Sequence, residues 1–125
     1  MRLCMTTVAA AALFGAAVSA SAGDQGDPDK GCDGSTYEMV ECFKAKATQW
    51  DKWLNIAYPK ALRMAQPEQR EQLRKAQRAW VAYRDANCLY WDLGAGTIAR
   101  IQAADCMYRM TKDRAAEIEG AAQGN

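Results

Sequence analysis

Apolar side chains recur every three or four residues along most of this chain, a spacing that predicts helices and no strand. The first helix opens after Ser35. Ser35 followed by Glu38 has the spacing of a capping box, in which the hydroxyl accepts from a first-turn N–H and the glutamate reaches back to the capping residue. Val40, Phe43, Ala47, Trp50, Leu54, Ala57 or Tyr58, Ala61 and Ala65 then form one face. Pro59 removes a helix hydrogen bond and crowds the carbonyl of Asn55, so this helix is predicted to kink or split there. Pro67 suits the first turn of a second helix, whose face reads Leu73, Ala76, Trp80, Tyr83, Asn87 and Tyr90. Gly94 and Gly96 end it. Thr97 is placed to cap a third helix with Ile98, Ile101, Ala104, Tyr108, Thr111, Ala115 and Ile118 inward, and residues 120–125 read as a frayed tail. Short connections predict an all-α, small antiparallel three-helix bundle over residues 35–119. Trp50, Trp53, Trp80 and Trp91 are expected to supply large buried areas to its core.

The pattern before residue 23 differs in kind. Residues 8–18 are an uncharged apolar run behind Arg2, closed by Ser19, Ala20, Ser21 and Ala22, whose small side chains suit a signal peptidase. A membrane-spanning helix needs about 20 apolar residues. This run is shorter and rich in alanine, so residues 1–22 read as a cleaved signal peptide that leaves no stable membrane anchor. Cys4 lies far upstream of the cleavage point, where it cannot carry a lipid on the mature chain. Residues 23–34, dense in Gly, Asp and Pro, read as a flexible leader held through Cys32.

Composition narrows the chemistry. The chain has 16 Lys and Arg against 15 Asp and Glu, with no histidine. Loss of Arg2 with the signal leaves a neutral remainder of roughly 100 residues, enough for one modest core. Neutrality argues against nucleic acid or an anionic membrane as the main partner. Without histidine there is no imidazole base and no Ser-His pair, and Glu38, the nearest partner for Glu41, is better used in the cap. A non-catalytic protein without cofactor or metal follows as the expectation. Four cysteines survive cleavage, Cys32, Cys42, Cys88 and Cys106, and an even number in a small exported chain reads as two disulfides. Three pairings exist. Cys88 and Cys106 flank the glycine turn and Cys32 can fold back on Cys42, which favours those two bonds. Cys42–Cys88 with Cys32–Cys106 is the rival, because the start of the first helix should lie beside the end of the second. Arg70, Arg74, Lys75 and Arg78, interleaved with Glu68 and Glu71, read as a solvated, ion-paired face.

The run from Ala76 to Cys88, with Ala76, Gln77, Arg78, Ala79, Trp80, Tyr83, Arg84, Asp85 and Cys88, resembles the signature of the lysozyme inhibitor LprI-like family of small secreted domains. The likeness continues in Cys32, Thr36, Met39 and Cys42, in Leu54, Asn55 and Tyr58, and in Leu73 and Arg74. It ends in Gly96, Thr97, Ile98 and Cys106, then Thr111, Arg114 and Ile118. Pro59 and a shortened loop before Gly94 depart from the family pattern. The resemblance implies a protein that binds and blocks a lysozyme-type muramidase, and it sets all four cysteines in the family's arrangement.

The residues themselves divide into two groups. Trp80, Tyr83, Arg84, Asp85, Thr111 and Arg114 read as a structural motif. Arg84, one turn from Trp80, is expected to cover aromatic rings and donate to helix-end carbonyls or carboxylates. Arg84 and Asp85 are adjacent and point about 100° apart, so Asp85 is expected to meet Arg114 rather than its neighbour. The candidate partner-binding loop is Trp91, Asp92, Gly94, Gly96 and Thr97, where glycine permits close approach and Asp92 offers a carboxylate. The competing role is a periplasmic envelope-maintenance or immunity-type module with a different protein partner. Either role places the mature chain in the periplasm or outside the cell.

Overall fold

The computed structural model describes residues 31–124. The expected signal peptide and residues 23–30 of the expected leader lie outside the described residues. Three helices follow in order, α1 (Thr36–Met64), α2 (Pro67–Asp92) and α3 (Ile98–Ala122), with no strand among the described residues.

The start of α1 is held as its sequence predicts. Glu38 N donates to Ser35 Oγ at 3.3 Å, while Ser35 N and Oγ both donate to Glu38 Oε2, at 2.8 and 2.7 Å. These bonds, the backbone one first, hold the Glu38 carboxyl below its ordinary pKa. Gly34 precedes them with φ +113°, and a Cβ there would stand 2.7 Å from Glu38 Oε2, so only glycine fits. The Cys32–Cys42 disulfide ties this entry segment to the second turn of α1.

Pro59 does not split α1, which runs unbroken to Met64. Pro59 and Asn55 both face solvent, where water can satisfy the carbonyl that proline leaves unpaired. Two residues connect α1 to α2, and Arg70 reaches back across the elbow. Its Nε donates to Leu62 O at 2.9 Å and its Nη2 to Ala65 O at 3.1 Å, covering carbonyls that the end of α1 leaves open. Arg70 therefore leaves the ion-paired face expected of it. Within that cluster the observed pair is Arg74 with Glu71, at 3.9 Å.

The central helix is α3. It packs along α1 in parallel and against α2 in antiparallel fashion, whereas α1 and α2 scarcely touch. Leu54 and Ala61 of α1 meet Ala115, Ile118 and Ala122 of α3 in the core, with Trp50, Tyr58, Leu73 and Trp80 packed around them. Alanines at this seam let the two backbones approach closely. Burial of Leu54 and Ile118 contributes about 2 kcal/mol each.

Four expectations change. Trp53 and Trp91 are substantially exposed, so two tryptophans rather than four serve the core. The inward face of α2 is rotated: Ala76, Tyr83 and Tyr90 face solvent, and Gln77, Arg84 and Cys88 take their places beside Leu73, Trp80 and Asn87, which stay on the inward side as expected. On α3, Ile98 is exposed and Ala99 is buried instead; the helix continues past Gly120, and Ala122 joins the core where fraying was expected.

Candidate functional site

The seam between α2 and α3 is built largely from polar and sulfur-bearing side chains. Cys88 and Cys106 form a disulfide with Cα atoms 5.5 Å apart, and both are buried. Asn87 Nδ2 lies 3.4 Å from Cys106 Sγ and 3.3 Å from Met110 Sδ, placing an amide donor against this sulfur cluster. One turn and more below, Arg114 is 7% exposed and donates from Nε to Gln77 Oε1 at 3.0 Å and from Nη1 to Glu117 Oε2 at 2.8 Å. Its Nη2 is buried with no hydrogen-bond partner among the described residues. Trp80 meets two guanidinium groups, with Arg84 Cζ 4.9 Å and Arg114 Cζ 5.9 Å from its ring centre.

The motif residues are thus partly brought together. Trp80, Arg84 and Arg114 form one cluster, and Thr111 is fully buried a turn from it on α3. Tyr83 points to solvent. Asp85 does not meet Arg114. Arg84 bends back onto its own neighbour, with Nε and Nη2 donating to Asp85 Oδ1 at 2.9 and 2.8 Å. The expected divergence of adjacent helix positions is overcome by the length of the arginine side chain, which spans the 100° between them.

Above the disulfide, α2 and α3 meet in a short tip. Leu93 N donates to Leu89 O at 3.0 Å and Gly94 N to Trp91 O at 3.1 Å, closing the last turn. A Cβ on Gly94 would stand 3.1 Å from Trp91 O and 3.4 Å from Ala99 Cβ, and Gly96 has φ +75°. The two glycines therefore make this turn for different reasons, close approach at Gly94 and left-handed backbone at Gly96. Thr97 stands at the cap position of α3 without a side-chain capping bond. Trp91, Asp92, Gly94, Gly96 and Thr97 all fall on this exposed tip.

The tip is more apolar than the loop residues alone suggest. Leu93 is 76% exposed and Ile98 56% exposed, and Leu89, Tyr90 and Trp91 are exposed beside them. Tyr90 and Trp91 pack edge to face at 5.3 Å. Leu89, Tyr90 and Ile98 were missed because helical periodicity assigned Tyr90 and Ile98 to the core and left Leu89 unassigned. An available signal was that Leu93 and Ile98 flank a glycine turn, where apolar side chains have little to bury against.

Because α1 and α2 diverge from their elbow, a cleft of about 740 Å³ opens beside the tip. Val40 and Ala47 of α1, Leu89 of α2 and Met107 of α3 give it apolar walls, while Lys44, Arg100, Asp85 and Asp92 place both signs of charge around it. Asp85 is bonded to Arg84, whereas Asp92 has no ion pair or side-chain hydrogen bond among the described residues.

No curated protein matches the chain, and neither does any solved structure. A family model described as lysozyme inhibitor LprI matches residues 29–118.

Proposed function

The chain belongs to the lysozyme inhibitor LprI family, and from that premise we propose that it is an exported, non-catalytic protein that blocks a lysozyme-type muramidase with its α2–α3 tip. One observation carries the choice of surface: an exposed apolar tip, fixed at its base by the Cys88–Cys106 disulfide, bears a carboxylate at Asp92 that has no ion pair or side-chain hydrogen bond among the described residues. Exposed aromatic and aliphatic anchors on a rigid frame bind with little ordering cost, which suits insertion into a preformed substrate cleft. Asp92 adds a point of polar selection at the edge of the anchor.

Export is supported by the apolar run at residues 8–18 and by two disulfides, which persist in oxidising compartments. The periplasm or the extracellular medium is the proposed location.

The test is a cell-wall lysis assay with oxidised, purified protein against several muramidases. Slowed lysis by at least one enzyme at micromolar protein is the expected result, with a tighter effect for the oxidised than for the reduced form. If every muramidase runs at its full rate, the inhibitor reading fails.

A further inference from the structure

The exposed side of α1 over its second half carries a pattern unrelated to the tip. Lys52, Trp53, Ile56, Lys60, Arg63 and Met64 follow one another at helical spacing on the flank that borders the core stripe of Leu54, Ala57 and Ala61. At 3.6 residues per turn the six fall within an arc of about 120°. Ile56 is 72% exposed, and Met64 and Trp53 are more than half exposed. Such apolar side chains are costly to leave in water on a helix that already has a core face.

The charges on this face have one sign. No acidic residue occurs between Asp51 and Glu68, and Asp51 is engaged on the other flank by Asn55 Nδ2 at 3.0 Å. Lys52, Lys60 and Arg63 make no ion pair and no side-chain hydrogen bond among the described residues. Across the seam Glu119 and Lys60 border a shallow groove of about 230 Å³ against Trp53 and Ile56, so the one neighbouring acid lies at the edge of the face and not on it.

We propose that this face of α1 docks the protein reversibly on an anionic phospholipid surface. Trp53, Ile56 and Met64 enter the headgroup layer, and Lys52, Lys60 and Arg63 lie among the phosphates with their aliphatic stems along the apolar side chains. The neutrality of the chain argues against a membrane as its main partner, but it averages over all faces. Interfacial binding depends on the local arrangement, and each cation near an anionic surface adds separately. Three cations and three apolar side chains give a contact that forms and releases, not an anchor. The α2–α3 tip lies toward the other end of α1, beside Val40 and Lys44, so a docked molecule keeps the tip available. This proposal stands without the inhibitor reading.

The experiment is co-sedimentation of the processed, oxidised protein with vesicles of phosphatidylcholine, with and without an equal share of phosphatidylglycerol, together with tryptophan emission. Expected are binding and a blue shift with phosphatidylglycerol only, weakening as salt rises. The triple variant K52E/K60E/R63E should lower partitioning on the order of a hundredfold, and Ile56→Glu should lower it as well, both with unchanged helical content and melting temperature. The proposal is overturned by equal sedimentation on both vesicle types or by no binding at low ionic strength. Full binding by the triple variant also overturns it, since another face would then be responsible. Binding to soluble poly-glutamate without binding to the phosphatidylglycerol vesicles would assign the face to an acidic polypeptide instead of a lipid surface.

Discussion

The α-carbons of Cys88 and Cys106 lie 5.5 Å apart, about one turn before α2 ends and about two turns after α3 begins. The bond between them closes an 18-residue separation that contains the whole tip. Tip geometry and fold stability are therefore linked through one covalent bond. Replacing both cysteines by alanine should cost about 3 kcal/mol, read as a lower midpoint in urea unfolding. An unchanged midpoint would mean that the α2–α3 packing holds the hairpin alone.

Asp92→Ala should weaken muramidase inhibition about tenfold, equivalent to about 1.4 kcal/mol, with no change in melting temperature, because Asp92 has no ion pair or side-chain hydrogen bond among the described residues. Leu93→Asp should weaken it further, since it places a charge on an apolar anchor. Inhibition constants measured beside thermal melts separate the two effects. Undiminished inhibition by Leu93→Asp removes the tip from the binding surface.

Trp80→Ala should destabilise by about 3 kcal/mol, because it removes a ring packed against the core and the aromatic contact of two guanidinium groups. Trp80→Phe should show less than half of that loss, since a smaller ring still presents a face. Equal effects of the two substitutions in denaturant titrations would show that the indole itself, not an aromatic face, is what matters.

Arg114→Lys should cost about 2 kcal/mol although the charge is kept. A lysine cannot direct separate donors at Gln77 and Glu117, and Gln77 Oε1 would be left without its donor. Unfolding midpoints of the variant and of Gln77→Ala, alone and combined, give the coupling. Simple additivity would show that the Gln77 bond does not contribute.

The Glu38 carboxyl is held below its ordinary value of 4.5 by the amide and hydroxyl of Ser35. A group whose folded pKa is depressed contributes stability that is present above the unfolded value and lost as pH falls through the folded value. The capping box should therefore stay closed through the ordinary carboxylate range and open only below it. The Ser35 amide resonance should titrate with a midpoint under 4.5, and Glu38→Gln should abolish that titration. A midpoint at or above 4.5 would show that the box does not persist in solution.

Local features were legible in the sequence because each depends on residues a few positions apart. Ser35 and Glu38 specify their own cap, and Gly94 and Gly96 mark the only place between α2 and α3 where the backbone can make its turn. Both disulfides join cysteines close in sequence, and both formed as the favoured pairing. The candidate loop residues likewise fall on one exposed tip because they lie within seven positions of one another.

What lay beyond the sequence was the direction each helix faces. Periodicity identifies apolar positions but not which neighbour will cover them. Once α3 took the centre, α2 met it along Gln77, Arg84, Asn87 and Cys88, because a disulfide and a buried arginine set its rotation more strongly than Tyr83 or Tyr90, whose hydroxyls are content in water. The same arrangement kept α1 and α2 apart, exposed Ile98 and Leu93, and opened the cleft beside Asp92. Short-range geometry was enough to specify three helices, the Ser35–Glu38 cap of the first and the two covalent ties. Which apolar residues stay in water was settled by packing, because burial is a property of the neighbours that the assembled helices supply.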